Sequence, residues 1–201
     1  MSYINVDTIF SYTNPYGGAP GPTAGQTPGT IRILWSPLLH GFNCDAIDGG
    51  SHAQGEGSKA YGSRSHAEGY RTEAFGDYSH SEGYETKAHA EGSHAEGYRT
   101  EVLSGTSVTG KYAHAEGGYT NAQGQYSHAE GSSTNAIGNT SHAEGKITTS
   151  TGINSHAEGL ASESIGNASH AEGQGTIASG DFSHSEGFFT QSIGEGSHAE
   201  G

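Results

Sequence analysis

Residues 127–168 read SHAEGSSTNAIGNT, SHAEGKITTSTGIN, SHAEGLASESIGNA: three consecutive units of 14 residues. Each opens with Ser-His-Ala-Glu-Gly and continues with a Ser/Thr-x-Ala/Ser-x-Gly half. Outward from this stretch, the pentapeptide and its close variants recur twelve times between residues 51 and 201. Eleven copies keep one register, starting at residues 51, 65, 79, 93, 113, 127, 141, 155, 169, 183 and 197. A short fixed period means that the chain stacks one small unit on itself.

The unit is S-H-A-E-G-x-x-T-x-A-x-G-x-x. Position 2 is His throughout: His52, His66, His80, His94, His114, His128, His142, His156, His170, His184 and His198. Position 4 is Gln54 in the first unit, then Glu68, Glu82, Glu96, Glu116, Glu130, Glu144, Glu158, Glu172, Glu186 and Glu200. Position 8 is Ser or Thr. Position 10 is Ala or Ser apart from Val102, and position 12 is Gly apart from Ala90 and Ser104. The alternation has period two in both halves. Ser, Ala and Gly at positions 1, 3 and 5 share one face of a strand, and His and Glu share the other. A helix needs apolar residues at a spacing of 3.6 and does not tolerate two glycines per unit. The repeat therefore predicts an all-β fold, a parallel β-solenoid with one 14-residue coil per unit and a thin interior of Ala, Ser, Thr and Gly. Eleven coils at about 4.8 Å each make a rod of roughly 50 Å.

Two irregularities interrupt the pattern. A copy starting at Ala88 (His89, Glu91) falls in the second half of a coil and leaves the register intact. Between Ser93 and Ala113 the spacing is 20, so six residues are inserted within 101–112, EVLSGTSVTGKY. Solenoids put such insertions in surface loops, where this one serves as a tolerated bulge or a contact loop.

Composition bounds the function. Leu, Ile, Val and Phe total 25 of 201 residues and the net charge is −14. That balance resembles disorder, but the strict repeat overrides it. One chain buries little large apolar surface, so a rod of small residues calls for partner chains. The acidic balance, with 8 Lys and Arg forming no patch, argues against nucleic acid. Cys44 is the sole cysteine, so no intrachain disulfide forms. No apolar run reaches membrane-spanning length, and the N-terminus lacks a basic start followed by an apolar run. No cofactor is implied.

Residues 1–50 differ from the rest. They hold 11 of the 25 large apolar residues. Ile4–Tyr12 and Ile31–Trp35 read as strands, Asn14–Gly29 as a Pro/Gly-rich arm, and Pro37–Gly50 as a loop into the first coil. The expected division is 1–50 as an anchor or cap and 51–201 as the repeat. The candidate anchor residues are Ile4, Val6, Ile9, Phe10, Ile31, Ile33 and Trp35.

The S-H-A-E-G units resemble the 14-residue head repeats of trimeric autotransporter adhesins, where S-V-A-I-G stands in place of S-H-A-E-G. They are also similar to units in bacteriophage tail-fibre and neck-appendage proteins. The small positions match (Ala67, Gly69, Ala157, Gly159), and His and Glu replace the two apolar ones. The likeness covers residues 51–201. It implies a left-handed β-roll with three chains side by side, a homotrimer. An adhesin of that kind needs a signal peptide, a coiled-coil stalk and a membrane barrel, none of which this sequence shows. A virion fibre, assembled in the host cytoplasm, needs none of them. The expectation is therefore a structural fibre of a virion, anchored through residues 1–50 to tail, baseplate or neck proteins and acting as a spacer in host attachment. A chain that continues past Gly201 into a tip or chaperone domain belongs to this expectation. The alternative is a bacterial surface or injection-system adhesin that binds a receptor directly.

Three roles are open to the His and Glu ladder. In the preferred one, His of one chain donates to Glu of a neighbour across the trimer interface. In the second the ladder is a solvent-facing rail. In the third, His66, His80, His94, His128, His142, His156, His170 and His184 hold a transition metal such as Zn or Ni, or a halide. Exposed aromatics (Tyr70, Tyr84, Tyr98, Phe188, Phe189) pack between chains or stack on a host-surface glycan. An enzyme is not expected. A repeated geometry offers no singular constellation, and Cys44 with His40, Asp45 and Asp48 is a faint pattern. A Thr file suited to ice falls on the inner face.

Overall fold

The computed structural model describes residues 32–34, 43–46, 50–103 and 109–201. Each 14-residue coil makes two strands and two corners. The longer strand takes positions 2–6, as in His142–Lys146, and the shorter takes positions 9 and 10, as in Thr149–Ser150. Among the described residues the longer strands stack into an eleven-stranded sheet and the shorter ones into a twelve-stranded sheet. All pairs are parallel except the first of the second sheet, where Arg32–Leu34 runs antiparallel to Asn43–Ala46. Equivalent positions pair with each other: His128 with His142 and His142 with His156, Ala129 with Ala143, Asn135 with Thr149. This is the parallel solenoid that the repeat predicts.

The stack starts earlier than residue 51. Asn43–Ala46 pairs with Lys59–Ala60 at the same offset of 14, Asp45 against Lys59 and Ala46 against Ala60. Sequence reading makes Pro37–Gly50 a loop, but its middle is a strand. Asp45 and Ala46 fall at positions 9 and 10, and Ala46 is buried like every other core Ala. Of the anchor candidates, Ile33 lies in a strand and pairs with Cys44. Ile4, Val6, Ile9, Phe10, Ile31 and Trp35 lie outside the described residues, as does His40.

The interior is made of small residues because the two sheets lie close. Ala at positions 3 and 10 and Ser or Thr at positions 1 and 8 are almost fully buried. At Ser79, Ser93, Ser127, Ser155, Ser169 and Ser197 the position-1 hydroxyl donates to the carbonyl three residues back, as in Ser155 Oγ to Gly152 O at 2.7 Å, whereas those of Ser65, Ser141 and Ser183 are buried without a partner. Where Ser replaces a core Ala its hydroxyl finds another in four cases, Ser81 with Thr86, Ser150 with Ser155, Ser164 with Ser169 and Ser185 with Thr190, all at 2.6–2.8 Å, whereas Ser192 Oγ is buried without a partner.

The corners sit at positions 7 and 14 in the left-handed region, for example Ile147 (φ 60°) and Thr140 (φ 56°). Their N–H groups point back to the preceding coil, Ile147 N to Ser132 O at 2.9 Å, while strand N–H groups point forward, His142 N to Ser155 O at 2.9 Å. Reversing the N–H direction without leaving the stack requires that backbone twist, so β-branched residues are held there against their preference.

Two glycine files fix the spacing. A Cβ on Gly145, where φ is 103°, would lie 2.2 Å from Gly159 O, and one on Gly152 would lie 1.9 Å from Gly166 O. The apparent exception at Ser104 disappears in three dimensions. Gly110 takes position 12: it accepts from Ala113 N at 3.1 Å as Gly124 accepts from Ser127 N at 3.2 Å. The six extra residues therefore run from 104 to 109. The coil before them carries Ala90 at position 12, and a Cβ on Gly110 would stand 3.2 Å from its methyl.

Candidate functional site

Positions 2 and 4 point outward from the longer sheet, so the eleven His and ten Glu form one continuous ladder. Imidazole centroids follow one another at 4.6–4.9 Å. From His80 to His198 the rings lie within 15° of parallel, whereas His66–His80 is tilted by 36° and His52–His66 is edge-on. Residues spread over 147 positions of sequence thus become a single column.

Within a coil, Nε2 faces its own carboxylate at a loose distance: 3.4 Å for His66–Glu68 and His94–Glu96, 3.5 Å for His142–Glu144 and His156–Glu158, 3.7 Å for His114–Glu116 and His128–Glu130. A charge-assisted bond is about 2.7–2.9 Å long. The Nε2 atoms of His80, His94, His114, His128, His142, His156, His170 and His184 are shut from water and have no hydrogen-bond partner within the chain. The rings themselves are half-buried, with side-chain exposure of 33–39 % at His80, His142 and His156.

Burial is the first cause that holds His80, His94, His114, His142 and His156 below the ordinary imidazole value, and a neighbouring imidazole is the second. The adjacent carboxylates pull the other way and do not prevail. At neutral pH these five are uncharged, with one bare ring nitrogen each. Neutral imidazole beside carboxylate can accept a proton, pair with a donor from another chain, or bind a metal ion.

The remaining candidates fall elsewhere. Tyr70, Tyr84 and Tyr98 stack at 4.9–5.0 Å, so their ring faces are spent on one another and their edges line the surface. That leaves little ring face for a sugar. Phe188 and Phe189 meet edge-to-face at 4.5 Å and are exposed. Cys44 is in a strand.

Sequence reading misses a second pattern, on the opposite sheet of the first coils. Lys59, Glu73, Lys87 and Glu101 occupy position 9 with alternating sign. Lys59 meets Glu73 at 2.9 Å and Lys87 meets Glu101 at 2.8 Å. At position 7, Glu85 lies between Arg71 (3.6 Å) and Arg99 (2.8 Å). Between these rows is a cavity of about 380 Å³. Tyr61, Phe75 and His89 stack at position 11, and His89 reaches Glu73 at 3.2 Å. The signal was present as sign alternation at a spacing of 14.

Among the described residues no helix is long and apolar enough to cross a membrane. No protein-family profile matches the chain, and no curated protein matches it.

Proposed function

We propose that the chain is the rigid shaft of a homotrimeric attachment fibre, in which three parallel solenoids associate through their His–Glu ladders. One observation carries this: eight ladder nitrogens are shielded from water yet unpaired, on a face that repeats without a break along the rod. Buried polar atoms are almost always satisfied, and a turn of each half-buried ring would present its Nε2 to a neighbouring chain's ladder, which offers donors and acceptors at the same spacing of about 4.8 Å. A core of Ala, Ser and Thr buries little apolar area at about 25 cal/mol per Å², which adds to the demand for partners.

On this reading the rod has no catalytic role. It is a left-handed β-roll that holds a binding tip away from a virion. Residues 1–50 attach it to tail, baseplate or neck proteins, and assembly takes place in the host cytoplasm. The resemblance to phage fibre repeats supports the carrier, and of the outward aromatics the exposed Phe188 and Phe189, rather than the self-stacked tyrosines, are the ones left to meet a host glycan. The test is the solution mass by light scattering in the presence of a chelator. Three times 20.7 kDa is expected. A monomer at micromolar concentration ends the trimer reading.

A further inference from the structure

The ladder holds more than an interface requires. His94, Glu96 and His114 place three ligand atoms within 4.8 Å of one another, and so do His114, Glu116 and His128; His128, Glu130 and His142; His142, Glu144 and His156; and His156, Glu158 and His170. We propose that these triplets are transition-metal sites, each made by the His and Glu of one coil and the His of the next, for a divalent ion of the zinc class. The donors come from one chain, so the proposal rests on the ladder and not on the trimer.

Three observations support it. The first is distance. Within these coils the Nε2 to Oε2 separation is 3.4–3.7 Å. Two ligands of a tetrahedral zinc, each about 2.0–2.1 Å from the ion, stand about 3.3–3.4 Å apart. The gap that is too long for a hydrogen bond therefore suits two arms of a zinc site, and rotation of the adjacent ring brings in the third donor. The second is the state of the nitrogens. They are dehydrated and unpaired, so an incoming ion displaces no hydrogen bond from them. The third is charge. Glu96, Glu116, Glu130, Glu144 and Glu158 pair in register coil upon coil on a chain of net charge −14, and like charges so aligned repel. Divalent ions between them relieve that. Imidazole and carboxylate together suit zinc, nickel and copper.

The register also sets the count. Consecutive triplets share a His, and one Nε2 binds one ion. Of the five triplets between His94 and His170, at most three fill at once: His94/His114, His128/His142 and His156/His170. Eleven ladder histidines taken two at a time permit five ions at most. The expected pattern is alternate coils, with ions about 9.6 Å apart.

The experiment is a calorimetric titration of the tag-free, chelator-stripped chain with Zn²⁺, together with the visible spectrum of the Co²⁺ form. Three to five ions per chain and the intense absorption of tetrahedral cobalt are expected. In a Glu130→Gln/Glu144→Gln/Glu158→Gln variant the count falls by about two while circular dichroism is unchanged. Fewer than one ion per wild-type chain at 100 µM Zn²⁺, or a folded variant that takes as many ions as the wild type, overturns the proposal. If the variant fails to fold, the wild-type count and cobalt spectrum decide. The mass in chelator is read separately: a monomer that still takes three to five ions ends the trimer reading and leaves this one standing.

Discussion

The coils before residue 113 and those after it share one face and differ on the other. On the longer sheet both carry the same His–Glu ladder in the same register. On the shorter sheet the early coils carry charged rows and a stack of Tyr61, Phe75 and His89, whereas the later ones carry Asn121, Asn135 and Thr149 at position 9 and Ile137, Ile165 and Ile193 at position 11. Six of the eight Lys and Arg lie between residues 59 and 111, and only Lys146 lies beyond. The interior and the ladder are thus held to one solution along the rod, and the shorter sheet's outer face is free to vary. A face held constant coil after coil has a task common to every coil, and one that changes midway does not.

The largest expected effect tests what is common to both regions. Gly69→Ala in the early coils and Gly145→Ala in the later ones should be equally damaging. Each puts a methyl within 2.1–2.2 Å of the next coil's carbonyl oxygen at a φ above 100°. Strain and clash together cost about 4 kcal/mol, or roughly 10–15 °C in melting temperature at this size. A mild effect at either position would mean that the coil spacing adjusts locally and that the two regions are not one architecture.

The degree to which this was legible in sequence follows the same division. His142, Ala143, Glu144 and Gly145 sit in a period-two string, and pattern alone assigned their faces. The corners did not announce themselves, because Ile147 and Thr140 are poor residues for left-handed backbone and only the reversal of N–H direction between coils explains them. Counting along the sequence puts Ser104 at position 12, whereas Gly110 makes that position's contact, accepting from Ala113 N. The ladder was visible as repetition, but its unpaired nitrogens were not, since pairing depends on separations of a few tenths of an ångström.

The next effect belongs to the ladder and should be the same in both regions. His80, His94, His114, His142 and His156 have lowered proton affinity in the folded state, through burial first and neighbouring imidazole second. The unfolded chain, with His near about 6.5, then binds more protons below that value. The ladder's contribution is present above about pH 6.5 and is lost as pH falls through the lowered folded values. In chelator the melting temperature should drop by several degrees between pH 8 and pH 5. His142→Ala with Glu144→Ala should lower it by roughly 5–10 °C at pH 8, equivalent to about 2–3 kcal/mol. No change in either measurement would place the ladder outside any interface.

A smaller effect separates core hydroxyls by their partners. Thr86 Oγ1 pairs with Ser81 Oγ at 2.7 Å and Thr190 Oγ1 with Ser185 Oγ at 2.8 Å, whereas Thr134 Oγ1 is buried with no partner. Thr86→Val should therefore destabilise by about 1–2 kcal/mol by stranding Ser81, and Thr134→Val should be neutral or slightly stabilising. Equal losses at the two sites would show that shape at position 8, rather than pairing, sets the energy.

The smallest effect lies on the face that distinguishes the regions. Glu73 accepts from Lys59 at 2.9 Å and faces His89 at 3.2 Å. Burial raises its proton affinity, but the Lys59 hydrogen bond and charge outweigh that and hold the carboxyl below its usual range. A carboxylate so lowered contributes stability above its ordinary value near 4.3 and loses it only as pH falls further. Glu73→Gln should change stability by less than about 1 kcal/mol, as exposed pairs do, and the change should shrink in 1 M salt. It should also leave the slope between pH 8 and pH 5 intact, because Glu73 stays ionised throughout that window while the imidazoles do not. If Glu73→Gln flattened that slope, the acid response would belong to the early coils alone, and the ladder would no longer be the feature that unites the rod.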